Sequence, residues 1–285
     1  MTASDKSIHE LIIEAVATQD VQLPVFNPVA LHLQQALRDE NVTIATIEGM
    51  IIEDQALASR ILRVANAAFY TGLQNITTIR KAIVRLGFQQ VASLAMTAAQ
   101  QQFYQTISKA FRAYQEKLWQ HAFASATGCK WLAERCGYRS EAETAFLAGL
   151  LHNIGQLALL KIIEDLRVAH TMTTDLPETL ILEILDSEMH TTQGYLLATQ
   201  WNLPDEYGMV IRDHHQGHGD DHNLLLLLVR LMDQACEKIG IGLHSDPYIA
   251  LAALPEAQAL GLSEVTLAEL EILLEDSMTR AGQIA

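Results

Sequence analysis

The chain has 285 residues, 49% hydrophobic and 19% charged, which is enough to bury a core and excludes a disordered chain. Nineteen Lys and Arg stand against 34 Asp and Glu, a formal net charge of −15. That balance argues against broad nucleic-acid binding, which needs cationic side chains to displace counterions, and against docking on anionic lipid. The three cysteines, Cys129, Cys136 and Cys236, form no CxxC pair and read as reduced thiols of a cytoplasmic protein. Met1 to Val16 carries Asp5, Glu10 and Glu14 and lacks the basic start of a signal peptide. The longest strictly apolar run in the C-terminal half, Leu224 to Val229, has six residues, so no membrane span is expected.

In chain order, Leu23-Pro24 to Pro28 reads as an extended entry. Val29, Leu31, Leu33 and Leu37 then begin a helix that ends near Arg38-Asp39. Ile44, Ile47, Ile51 and Ile52 give a second apolar face, and Leu57, Ile61, Leu62 and Val64-Ala65 a third. Ile79, Ile83 and Leu86 give a short fourth, closed by Gly87. Phe88 to Phe103 is a helix rich in Ala and Gln. The next helix starts near Ser108 and passes through Trp119 and His121 to about Arg135. Ser140-Glu141-Ala142-Glu143 has the form of a capping box and opens a helix from Ala142 to about Ile163. Pro177-Glu178 and Pro204-Asp205-Glu206 each open another, with proline at the first helical position and acids in the first turn. Asn223 caps an apolar core helix from Leu224 to about Ile239. Pro255 and Ser263 begin the last pieces, where Leu267, Leu270, Leu273, Leu274 and Met278 form an amphipathic helix that caps the bundle. No alternating strand pattern of useful length occurs, so the expected fold class is all-α, a multi-helix bundle. The weakly amphipathic stretch Gln100–Ser108 is the expected boundary, dividing 1–105 from 106–285.

The chain holds 11 histidines, and their placement matters more than their number. His121 and His152-Asn153 fall in mid-helix, His190 opens the helix that leads to Trp201, and His214-His215 closes the helix begun at Pro204. Asp233 lies on the apolar helix. Facing helices of a bundle build metal sites from such residues, and imidazole with carboxylate suits Zn, Fe, Mn or Ni better than Ca or Mg. Each also has a plainer role. His121 fits a hydrogen-bonded core position, Asp233 fits a pair with Arg230, His190 fits a helix turn, and His214-His215 suit a helix C-terminus. His218 and His222 fit a solvated loop. Gly149 and Gly155 flank His152; a glycine inside a helix costs about 1 kcal/mol relative to Ala, so two of them suggest a close approach by another helix or a ligand.

Ala145 to Leu157, with His152-Asn153 and Gly155-Gln156 at its centre, resembles the His-Asp motif of the HD superfamily of metal-dependent phosphohydrolases. Leu23-Pro24 with Pro28-Val29-Ala30-Leu31, Glu53 to Leu57, Arg60 to Tyr70 and Ile76 to Gly87 resemble the HDOD domain, the HD-related output domain of bacterial signalling proteins. Gly194 and Trp201-Asn202-Leu203-Pro204 to His214-His215 continue the match, which covers about residues 20 to 240. The resemblance implies an HD-like C-terminal half packed on an HDOD-type N-terminal half. It implies His121, His152, position 153 and Asp233 as metal ligands, with His190, His214 and His215 where related HD-GYP phosphodiesterases hold a second metal.

Two departures carry chemical weight. Asn153 stands where the motif has Asp, and Gln156 where a Lys usually follows the Gly. An amide brings no negative charge to bridge two metals, and the lost Lys removes a cation for substrate phosphate. The resemblance therefore implies a non-catalytic signalling module with no catalytic residues, a protein partner, and at most one transition metal (Fe, Zn, Mn or Ni). The alternatives are a metal-dependent phosphohydrolase acting on a nucleotide or cyclic dinucleotide, or a nucleotide sensor using the same cavity. The sequence leaves the oligomeric state open.

Overall fold

The structure is a computed structural model that describes residues 27–39, 41–66, 76–104, 109–168, 176–216 and 223–284. The expectations for Met1–Val16, the Leu23-Pro24 entry, Ala67–Tyr70, His218, His222 and part of Gln100–Ser108 lie outside these residues, as does the side chain of Met278. The described residues are helical, with short 3-10 turns and no strand among them. They divide into two compact units, Val25–Phe103 and Tyr104–Ala285.

The first unit holds α1 (Pro28–Ala36), α2 (Ile44–Ile52), α3 (Gln55–Ala65), α4 (Ile79–Leu86) and α5 (Phe88–Tyr104). The first four begin with a side chain that accepts from a first-turn amide: Asn27 from Val29, Thr43 from Thr46, Asp54 from Leu57 and Thr78 from Lys81. Asn27 Nδ2 also donates to Asp54 Oδ2 at 2.7 Å, which ties the starts of α1 and α3 together. Gly87 ends α4 at φ +82°, a left-handed conformation that glycine adopts without strain. Leu33, Ile47, Ile51, Ile61, Ile83 and Met96 fill the core. Ile52, expected to extend the apolar face of α2, is 57% exposed, so that face is narrower than the spacing suggests.

The second unit is built on α6 (Arg112–Arg135), which follows a 3-10 turn at Lys109–Phe111. Around it lie α7 (Ala142–Leu151), α8 (Ile154–Val168), α9 (Glu178–Asp186), α10 (Met189–Gln200), α11 (Asp205–Asp213) and α12 (Leu224–Lys238). The chain ends in α13 (Pro255–Ala259) and α14 (Glu264–Ile284). Leu267, Leu270 and Leu274 of α14 are buried, and the last two close on Gly128 of α6, so the helix caps the unit as its pattern predicts.

Three local expectations need correction. The capping box does not form: Ser140 lies in a 3-10 turn (Arg139–Glu141), and α7 starts at Glu141 with no side-chain cap. The Glu143 carboxylate instead accepts from the Lys130 ammonium on α6, because an ion pair to a neighbouring helix replaces the local bond. Secondly, the long helix from Ala142 does not run unbroken. It ends at Leu151, turns through His152-Asn153 and restarts at Ile154. Thirdly, Arg139–Val168 does reach the length and hydropathy of a membrane-crossing segment, but 83% of its most apolar window is buried here, where it serves as core.

The two flanking glycines show why the break is where it is. A Cβ on Gly149 would stand 2.6 Å from the Ser125 carbonyl oxygen of α6, and one on Gly155 would collide with the His190 carbonyl oxygen of α10. Gly194 faces Gly155, and its own Cβ would meet Ile211 at 2.6 Å. The backbones of α6, α7, α8 and α10 therefore approach closely around His152. Only residues without side chains fit there.

Candidate metal centre

The turn between α7 and α8 puts His152 at a helix end, with its backbone amide bonded to Ala148 and its Nδ1 at 2.7 Å from the Gly149 carbonyl. Three of the other candidate histidines are held the same way. His121 Nδ1 lies 3.2 Å from the Ile241 carbonyl, and His190 Nδ1 lies 2.7 Å from that of Ser187. His214 Nδ1 lies 3.0 Å from the Ile211 carbonyl. A carbonyl only accepts, so each Nδ1 carries the proton and each Nε2 is left as a lone pair. Imidazoles that ligate metals are oriented in this manner.

Those lone pairs converge in two groups. His121, His152 and Asp233 form one, and His190, His214 and His215 the other; within each, the ligand atoms lie within 4.8 Å of one another. Asp233 Oδ1 is 3.1 Å from His121 Nε2 and 3.0 Å from His152 Nε2, and the two Nε2 atoms are 3.2 Å apart. Three acceptors at such distances repel unless a proton or a metal cation lies among them. Burial disfavours the His121 cation, yet its bond to Asp233 and the nearby Cys236 sulfur hold its pKa well above 6.5. Burial likewise opposes the Asp233 carboxylate, but the neighbouring His152 and His121, both within hydrogen-bond distance, keep it well below the usual carboxylate range.

The second group has the opposite electrostatics. Burial, with the charge of His215 nearby, lowers His190 to about 4. Burial also holds His214 well below 6.5, and lowers His215 to a lesser degree. These are neutral imidazoles, the form that binds metal. The ring centroids of His152 and His214 are 5.2 Å apart, so the two groups are neighbours.

The residues present fit a metal ion. The chemistry of each donor set suits a transition metal, and two buried atoms have no hydrogen-bond partner: Asp233 Oδ2 in the first group and His190 Nε2 in the second. A divalent ion so held would supply Lewis acidity and lower the pKa of a bound water. Asn153 belongs to neither set of acids and imidazoles. Its amide lies 3.1 Å from His214 Nε2 and leans on the second group rather than bridging the two. Gln156, where the motif has Lys, is spent on structure: its Nε2 donates to the Leu185 carbonyl at 3.3 Å.

All seven candidate residues, His121, His152, Asn153, His190, His214, His215 and Asp233, are thus brought together from five helices and their ends. The plainer roles fare differently. Asp233 does not pair with Arg230; that guanidinium donates to the carbonyls of Asp213, His214 and Gln216 and so fixes the end of α11. Sequence reasoning missed the residues around the mouth. The centre opens on a cavity of about 240 Å³ lined further by Leu118, Asp186, Gln234, Glu237, Leu243 and His244. Glu237 had a visible signal, since it follows Asp233 by one helical turn. Asp186 and His244 had none; they meet across the mouth at 2.8 Å from separate segments.

This fold and site define an all-α domain with a buried His/Asp centre of the HD type. The family model of the HDOD domain matches residues 23–217, more than half of the chain. The chain belongs to the HDOD family.

Solved structures resemble it over nearly its whole length. An HDOD domain protein of unknown function from Geobacter sulfurreducens superposes with a TM-score of 0.78 at 20% identity, covering 96% of this chain and 97% of its own. A provisionally assigned metal-dependent phosphohydrolase of Shewanella amazonensis gives 0.72 at 19% identity, covering 96% and 98%. At these identities the likeness speaks for the fold alone. A sequence relative, an uncharacterized protein of Treponema pallidum, is 23% identical over 204 residues, 70% of this chain but 39% of that protein. The chain therefore spans about two fifths of that relative's length.

Proposed function

We propose that this chain is a non-catalytic bacterial signalling module that works in the cytoplasm through a protein partner. Its HD-type centre serves as a retained, degenerate metal site holding one transition-metal ion on His121, His152 and Asp233. The observation that carries this reading is position 153. An amide leaning on His214 cannot bridge two ions or offset their charge, so the paired-metal activation of water has lost its hinge. The lining supports the same reading, because no Lys or Arg is found among the described residues of the cavity to meet a phosphate.

The retained His190, His214 and His215 favour a second reading, a metal-dependent phosphohydrolase acting on a nucleotide or cyclic dinucleotide. One experiment separates the two. Tag-free protein is loaded with Mn, Fe or Zn, its metal content is measured beside His152→Ala, and both are assayed against a panel of nucleotides and cyclic dinucleotides. The non-catalytic reading expects about one equivalent of metal, lost in the variant, with no turnover. Turnover abolished by His152→Ala would overturn it and establish the second reading.

A further inference from the structure

The cavity above the metal centre is lined by carboxylates, with no Lys or Arg among its described residues. His190 is 1% exposed, and its Nε2 has no hydrogen-bond partner; with Nδ1 committed to Ser187, that nitrogen can only accept. Asp233 Oδ2 is likewise unpartnered. Gln156 spends its NH2 on Leu185 and keeps its oxygen. Glu237, one turn beyond Asp233 on α12, has no side-chain partner among the described residues, and Asp186, at the end of α9, lines the same cavity. The lining thus carries three carboxylates, Asp186, Asp233 and Glu237; His244 pairs with Asp186, and His121 and His152 with Asp233.

Phosphate and its esters bring negative charge, so they would meet repulsion from these carboxylates. One metal held on His121, His152 and Asp233 would leave His190 Nε2 in the other group, and Glu237, unfilled. The space is also small: about 240 Å³ falls below the roughly 300–1,000 Å³ typical of sites for drug-sized ligands. Leu118 and Leu243 supply an apolar wall beside the carboxylates.

We propose that this cavity binds a small organic cation, an ammonium or guanidinium on a short aliphatic chain. Its charged head lies between Glu237 and Asp186, and its chain lies against Leu118 and Leu243. The inference rests on the non-catalytic reading of the centre and adds a ligand class to it. A free amine and the Lys or Arg tip of a partner protein share this chemistry.

The test is calorimetric titration of the full, tag-free chain, both chelator-treated and zinc-loaded. The ligands are putrescine, agmatine, blocked Lys and Arg dipeptides, inorganic phosphate and AMP. The expected result is saturable binding of at least one cation and none of phosphate or AMP. Glu237→Gln and Asp186→Asn should each weaken that binding at least tenfold, while circular dichroism shows the fold intact. Tighter binding of the dipeptides than of the free amines would assign the site to a partner's side chain, and the reverse to a metabolite. The proposal is overturned if no cation binds, if phosphate or AMP binds as well as the cations, or if both variants change affinity less than twofold. Phosphodiester turnover by the same protein would instead remove the non-catalytic reading, and the titration would still decide whether amines occupy the cavity.

Discussion

The two units of this chain solve the folding problem with different means. Residues 25–103 carry six Lys and Arg against five Asp and Glu, with a single histidine; residues 104–285 carry 12 against 25, with nine of the 11 histidines. In the first unit α1 to α4 each start on a capping side chain, and the named core is aliphatic. In the second, α6, α7, α9, α10 and α11 start with no side-chain cap. The backbones of α6 and α7, and of α8 and α10, come into close approach instead, and the core of the unit contains His152, His190 and His214. Burying imidazoles costs stability unless they stay neutral or find a partner, so the second unit carries the signature of a site and the first that of a scaffold.

The largest expected effect breaks the close approach. Gly155→Ala would press a methyl into the His190 carbonyl, with backbone on both sides and nothing flexible to yield. We expect a loss of about 3 kcal/mol or more in urea unfolding, or failure to fold. A protein of wild-type stability would show that the backbones of α8 and α10 are not in contact.

Next comes pH. Burial depresses His190 to about 4 and His214 well below 6.5, so both stay neutral in the folded state while the unfolded chain protonates near 6.5. The stability they allow is present above pH 6.5 and is lost as pH falls toward 4, by roughly 3 kcal/mol for His190 alone. His121 has the opposite sign, since its raised pKa adds stability below 6.5 that fades as pH rises through the folded value. Unfolding of chelator-treated protein across this range should therefore show a steep acid limb, and His190→Gln should flatten it. An unchanged limb in that variant would place the acid sensitivity elsewhere.

Smaller effects belong to the first unit. Asp54→Ala removes the cap of α3 and the bond from Asn27, and should cost about 1–2 kcal/mol. Gly49 lies inside α2, and a methyl added there would meet nothing within 4 Å, so Gly49→Ala should stabilise by about 0.5–1 kcal/mol. Opposite signs for two substitutions of glycine by alanine, at 155 and 49, would sharpen the contrast between the units. A loss at both would mean that Gly49 serves a contact of its own.

Legibility in the sequence follows the same division. Gly87 as a helix end and Asn223 as a cap were readable because each depends on residues within one turn. Ser140 misled for the same reason: its box is locally sound, but Lys130 on another helix competes for Glu143. The candidate ligands were legible as residue types around a known motif. Their grouping came from the family resemblance and not from local pattern, since His121 and Asp233 stand 112 positions apart. Asp186 and His244 at the mouth left no local trace, because they meet from separate segments.

The amino-acid sequence by itself determined the helical class, most helix ends, the net negative charge and the presence of an amide at position 153. These follow from residue identity and from interactions over three or four positions. Only the tertiary structure decided where the long apolar helix breaks, how closely His121 and His152 approach Asp233, and that Arg230 braces α11 instead of pairing with that carboxylate. Those outcomes depend on which backbones can come within contact distance, and that is settled by packing across the whole unit.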